Sequence, residues 1–254
     1  MHFASSSASH RNPIVAEFQP ILFSYILFKM YYAIFDLDGT LLDFEGASLN
    51  AFRSVLAPYD RVFTKELHSA IIGTKDADWS VKVVHALGLE GVVNPESLVR
   101  AWHAAIDEAI PTMALMPGAE QLVRQLHASK IPIAIATSSS SFVVPKKLSH
   151  HPVLMECVSL IVTGDDSELK AGKPAPDIFL LAAKRLGCTD NSACVVFEDS
   201  PFGLLGGIAA GMRTVAIPDR RYLTTESMER DVWQKATLTV GDLTSMNVLA
   251  LCNL

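Results

Sequence analysis

Residues 31–40 read Tyr31-Tyr32-Ala33-Ile34-Phe35-Asp36-Leu37-Asp38-Gly39-Thr40. Five apolar residues run without a polar break, and two carboxylates on a glycine turn follow at once. A short run that is apolar on both faces suits a parallel strand covered on both sides, and the switch at Asp36 ends it in a loop. Four later runs have the same character: 131–136 (IPIAIA), 158–162 (VSLIV), 193–197 (ACVVF) and 213–217 (RTVAI). Between them lie segments of helical period at 118–129, 175–186 and 202–210, the last ending at Gly211 in a C-cap position. Strands alternating with helices predict an α/β fold built as a doubly wound parallel sheet.

Between the first and second strands the pattern changes. Helical stretches at 47–56, 65–72, 77–87 and 96–110 follow one another with no strand-like run. Residues 46–112 are therefore expected to form a helical cap, and residues 31–45 and 113–254 the core into which it is inserted. Residues 1–30 differ from both. They begin rich in Ser and His and contain an eight-residue apolar run at 21–28 (ILFSYILF). That run is far short of the roughly 20 residues needed to span a hydrocarbon core. It is read as a non-catalytic extension, a targeting segment, or the product of an upstream start ahead of Met30.

The chain has 254 residues, a formal net charge of −6 and 19% charged residues. An acidic chain without Lys/Arg runs has no electrostatic footprint for nucleic acid or for an anionic membrane surface. A small anionic substrate is still compatible with that charge, because one local basic residue plus a cation can outweigh the global sign. Four cysteines (Cys157, Cys188, Cys194, Cys252) show no metal-type spacing. They read as free thiols, which suits the cytoplasm.

Four polar clusters stand at the C-terminal ends of predicted strands, where open α/β sheets place their sites. In Asp36-Leu37-Asp38-Gly39-Thr40, one carboxylate can attack phosphorus while its neighbour handles a proton. Thr137-Ser138-Ser139 offers a hydroxyl and backbone N–H groups to a phosphate oxygen. Gly172-Lys173-Pro174 brings a cation ahead of a helix. Glu198-Asp199-Ser200 brings adjacent acids, which suit a hard cation such as Mg²⁺ or, alternatively, the N-cap of a helix.

In this order the four clusters resemble the four motifs of the haloacid dehalogenase (HAD) superfamily over essentially all of residues 31–254. The resemblance implies a Rossmann-like core with the first strand central and a cap inserted after the first motif. It implies Asp36 as nucleophile, Asp38 as general acid/base, and Thr137, Ser138 and Lys173 as phosphoryl-binding groups. It places Mg²⁺ on Asp36, the main-chain carbonyl of Asp38 and Asp199, with Glu198 in or next to the shell. The run from Thr163 to Asp166 and the run from Gly172 to Phe179 narrow the likeness to the pseudouridine-5'-phosphatase and glycerol-3-phosphatase branch. So do Phe197-Glu198-Asp199-Ser200-Pro201 and Ala210-Gly211-Met212.

The expected activity is Mg²⁺-dependent hydrolysis of a phosphate monoester such as pseudouridine 5'-phosphate or glycerol 3-phosphate. The alternatives are a β-phosphoglucomutase-like phosphotransferase and a non-catalytic binding protein. The mutase pattern carries an Arg and a His where this chain has Asp76 and Ser48, and both aspartates of the first motif are present, against a binding protein. Lys75 is a candidate contact for a substrate anion, while His68, His85, His103 and His150-His151 read as core or surface residues. Gly206-Gly207 departs from the branch and should loosen its helix by roughly 1 kcal/mol per glycine.

Overall fold

The computed structural model describes residues 31–254 apart from 73, 229 and 230, so the expectations for residues 1–30 lie outside the described residues. Six parallel strands form one sheet in the order β3-β2-β1-β4-β5-β6 among the described residues. They are β1 (Tyr32–Phe35), β2 (Ile133–Ala136), β3 (Leu160–Val162), β4 (Cys194–Glu198), β5 (Arg213–Ala216) and β6 (Leu238–Thr239). Every predicted apolar run is a strand, and the first is central. Four of them start one or two residues later than the apolar run does. In β2 the reason is Pro132, which has no N–H to place in the ladder. Strand β6 escaped the sequence because two residues at a sheet edge carry no periodicity.

Strand β1 shows how the sheet is covered. Ala33 and Phe35 face a cluster that includes Leu122, Val123 and Leu126, while Tyr32 and Ile34 face Ile178, Phe179 and Ala182. Successive side chains of a strand point to opposite faces, so a strand buried on both sides must be apolar at every position. Each fully buried Phe or Ile contributes about 1.5–3 kcal/mol on transfer from water.

Among the described residues four α-helices lie between β1 and residue 112: α1 (Phe44–Leu56), α2 (Lys65–Ser69), α3 (Asp76–Ala86) and α4 (Pro95–Ala109). The Asp43 carboxylate accepts the Gly46 N–H and starts α1 two residues before the expected cap boundary. Asn94 caps α4 by accepting from the Glu96 and Ser97 N–H groups, and Pro95 sits in its first turn, where no N–H is needed. Leu98, Trp102 and Ile106 follow at four-residue spacing and turn one face inward. They meet a separate hydrophobic cluster in which Phe52 stacks on Phe63 at 4.3 Å and meets Trp79 edge-on at 5.1 Å.

The chain continues through α5 (Ala119–Ala128), α6 (Val144–Leu148), α7 (Pro152–Cys157), α8 (Asp177–Arg185), α9 (Pro201–Ala209), α10 (Thr225–Met228) and α11 (Val248–Cys252). Helices α6 and α7 were not expected, because five or six residues containing Pro145 or Pro152 look like a loop. Each proline occupies the first turn, where it is tolerated. His151 is buried at the N-cap of α7, the core alternative of its reading.

Gly206 and Gly207 need a correction. A Cβ on Gly207 would lie 3.0 Å from Thr214 Cγ2 and 3.2 Å from Val196 Cβ, and one on Gly206 would lie 3.0 Å from Phe179. The two glycines let α9 approach the sheet, so their intrinsic helix cost is offset by close packing. Gly207→Leu is expected to lower stability by about 1–3 kcal/mol through overpacking, read as a reduced urea midpoint at unchanged slope.

Candidate active site

The strand order reverses direction between β1 and β4, and the crevice at such a switch point is where open α/β sheets bind ligands. Asp36 leaves β1 there, its N–H donating to the Phe197 carbonyl at 3.0 Å. The next turn needs Gly39, which has φ +91° and stands so close to Asp199 that a Cβ would collide with the carboxylate. Thr40 Oγ1 donates to Asp199 Oδ1 at 3.0 Å, closing the loop onto the end of β4.

Lys173 joins the strands. Its Nζ donates to Asp36 Oδ1 at 2.5 Å, to Glu198 Oε1 at 2.6 Å and to the Ala136 carbonyl at 3.1 Å. Glu198 is fully buried and also accepts from the Ser200 N–H and hydroxyl. A Cβ on Gly203 would strike that carboxylate, so a glycine is required in the first turn of α9. Glu198 therefore orients Lys173 and the start of α9, with Ser200 as the N-cap.

Thr137 follows β2 and is buried. Its N–H donates to the Val162 carbonyl at 3.0 Å, and its Oγ1 accepts the Ser139 N–H at 3.0 Å. A Cβ on Gly164 would collide with the Ser138 carbonyl, so that glycine keeps the Ser138 backbone in place. Asp38 is met by Ser139 of the second polar cluster and by Lys147, which sequence reasoning did not single out. Lys147 Nζ donates to its two oxygens at 2.7 and 2.8 Å, and Ser139 Oγ donates to Oδ2 at 2.7 Å. Lys147 lies on the unexpected α6, and a Lys-Lys pair in an apparent loop carries no signal of burial.

Asp36, Asp38, Thr137, Ser138, Lys173 and Asp199 all border one cavity of about 530 Å³. Glu198 lies behind Lys173. The cap supplies the opposite wall, including Glu45, Ser48, His68, Asp76 and Trp102. Asp76 accepts from Trp79 Nε1 at 2.9 Å and pairs with His103 Nε2 at 2.8 Å. His68 is buried 3.1 Å from Glu45, whereas His85 is exposed. Lys75 is exposed at the start of α3 and does not border the cavity.

Two buried carboxylates, Asp36 and Glu198, meet the Lys173 ammonium, and Asp199 is close enough to feel the charge of both acids. Burial pushes Asp36 up to about 7 against the pull of Lys173, and the Glu198 and Asp38 charges add to the rise. Burial also raises Asp199 well above the usual carboxylate range, helped by Glu198 and Asp36. Burial alone would depress Lys173, but Asp36 and Glu198 outweigh it and hold the ammonium above its ordinary range. Among the described residues no three acidic, His or Cys side chains form a ready cation cage. Mg²⁺ needs only one or two carboxylates with water and phosphate oxygens, so the pair Asp36 and Asp199 fits it.

These shifts have a sign. A carboxylate raised on folding retains a proton that the unfolded chain releases, so its contribution is full below the unfolded value and lost as pH rises toward about 7. In EDTA, the melting temperature is expected to fall between about pH 5 and pH 8, and added Mg²⁺ to restore more of it at the higher pH. Calorimetry at the two pH values, with and without the metal, checks both halves.

A profile of the haloacid dehalogenase-like hydrolases matches residues 33–217. Over 192 residues the chain is 36% identical to (DL)-glycerol-3-phosphatase 2 of Arabidopsis thaliana, covering 75% of this chain and 80% of the relative. Over 198 residues it is 38% identical to a Drosophila melanogaster protein named as a probable pseudouridine-5'-phosphatase, covering 77% of this chain and 85% of that one. In fold it superposes on the β-phosphoglucomutase of Clostridium difficile with a TM-score of 0.65 at 19% identity, covering 88% of this chain and 97% of that one. The strand order, the carboxylates at the switch point and these likenesses agree: the chain belongs to the haloacid dehalogenase-like hydrolase family.

Proposed function

We propose that this phosphoric monoester hydrolase transfers the phosphoryl group of a small phosphate monoester to Asp36 and then to water, with Mg²⁺ as cofactor. The observation that carries the reading is the buried Asp36 carboxylate, held 2.5 Å from Lys173 on the cavity that also admits Asp38 and Asp199. One Asp36 oxygen attacks phosphorus and the bond to the leaving oxygen breaks. Asp38 gives its proton to the leaving alcohol, then takes one from the water that attacks the aspartyl phosphate. Lys173, Thr137 and the Ser138 backbone hold the phosphoryl oxygens. Asp36, Asp199 and the Asp38 carbonyl would hold the metal, which would neutralise negative charge in the site. The cap covers the cavity and limits water during the first transfer.

The relatives' names support a glycerol phosphate, pseudouridine 5'-phosphate or similar sugar or polyol phosphate. A cytoplasmic enzyme without nucleic acid or membrane partners fits the acidic composition. No helix among the described residues is long and apolar enough to cross a membrane. Asp76 on the cap wall opposes a second phosphate: an anion a few ångströms away costs on the order of 1–4 kcal/mol at effective dielectrics between water and a protein surface. Its pairing with His103 moderates that cost without reversing it.

Asp36→Asn is expected to keep the fold and lose turnover by at least about 10³-fold, because an amide does not attack phosphorus. EDTA should abolish phosphate release, Mg²⁺ restore it and Ca²⁺ inhibit, since Ca²⁺ takes more ligands at longer distances. More than a few per cent activity in clean Asp36→Asn protein contradicts the covalent route. A panel of monophosphates should be hydrolysed, with no net conversion of β-glucose 1-phosphate to glucose 6-phosphate even when primed with a bisphosphate. Efficient mutase turnover overturns the role given to Asp76.

A further inference from the structure

Asp38 has to aim at the leaving oxygen rather than at phosphorus, yet its own loop does not fix its side chain. The carboxylate is 20% exposed, and its observed partners come from more than a hundred residues away. Lys147 Nζ donates to Oδ1 at 2.7 Å and to Oδ2 at 2.8 Å, and it lies 3.1 Å from Ser139 Oγ, which itself donates to Oδ2 at 2.7 Å. The three groups form a closed triangle.

The Lys147 side chain is only 3% exposed. An ammonium has three donors, and here two go to Asp38 and one to Ser139, so none is left for a substrate. Its charge also lies 4.5 Å over the ring of Phe44, the first residue of α1. Buried on the core side, Lys147 ties the acid/base carboxylate to the root of the cap. Lys173 differs in kind, because it meets Asp36 and Glu198 and faces the phosphoryl position.

We propose that Lys147 is a positioning residue for Asp38, holding both carboxylate oxygens so that its proton is delivered to the leaving alcohol. The role rests on the phosphatase reading above. With one cation bridging both oxygens and a hydroxyl fixing one of them, the carboxylate cannot rotate freely. Without Lys147 the group stays in place chemically but loses its aim.

The experiment compares an alkyl phosphate with p-nitrophenyl phosphate in the full chain. For each, kcat/KM reports events up to phosphoryl transfer to Asp36. Nitrophenolate leaves without a proton, whereas an alkoxide needs one. In Lys147→Met, the alkyl-to-aryl ratio of kcat/KM should fall about 10²-fold, the lower end of what general acid catalysis supplies. Lys147→Arg should recover at least about a tenth of the lost ratio, because the guanidinium keeps the charge and paired donors. Ser139→Ala should shift the ratio in the same direction by a smaller factor, and it decides the matter if Lys147→Met does not fold by circular dichroism. An unchanged ratio in a folded variant overturns the positioning role alone. A wild-type chain that hydrolyses neither ester overturns the phosphatase reading, and this role with it.

Discussion

The site depends on one buried ammonium. Lys173 reaches across the C-terminal edge of the sheet to Asp36 after β1, Glu198 at the end of β4 and the Ala136 carbonyl at the end of β2. Three adjacent strands are thus joined at the point where a ligand must enter. Removing a charge from water costs several kcal/mol even after relaxation, and only close opposite charges with good hydrogen bonds repay it. Glu198 and Asp36 supply both. The remaining carboxylate, Asp199, has a hydroxyl partner but, among the described residues, no basic one within ion-pair distance, and burial with its acidic neighbours raises it well above its ordinary range. The cluster therefore carries more acidic than basic groups on the side facing the cavity.

Glycines give the carboxylates their room. Gly39 and Gly203 stand where any side chain would displace Asp199 and Glu198. Each is a packing requirement imposed by charge geometry, and Gly39 adds a backbone torsion that other residues rarely adopt. Gly206 and Gly207 do the same for the bed beneath, bringing α9 against β4 and β5 so that the acids project from a rigid edge.

The cap meets the core through a lighter seam. Arg221 bridges Asp219 and Asp43, the residue that caps α1, and Lys65 donates to the Arg220 carbonyl at 3.2 Å. Exposed ion pairs of this kind contribute about 0–1 kcal/mol each. The helical stretch carries an aromatic cluster of Phe52, Phe63, Trp79 and Trp102, while Phe44 and Ala47 pack both against that cluster and against the one covering the sheet.

The sheet and most of the site were legible in the sequence because they obey local rules. Buried parallel strands are apolar at every position, and their loops turn polar at once, so 31–40 and 193–200 announced both the strand and its chemistry. Asp36, Asp38, Thr137, Lys173, Glu198 and Asp199 could be singled out on that basis. Contacts between segments far apart in the chain were not legible. Lys147 sits in a proline-containing pentapeptide helix, and its partner Asp38 is 109 residues away. That Glu198 turns its side chain toward Lys173 and Ser200 was not legible either. Gly206-Gly207 read as weakness until the sheet beneath them was in place. Periodicity and turn chemistry act over a few residues and are written in the chain. Which side chain meets which across the crevice depends on how the strands are stacked, and only the tertiary structure decides it.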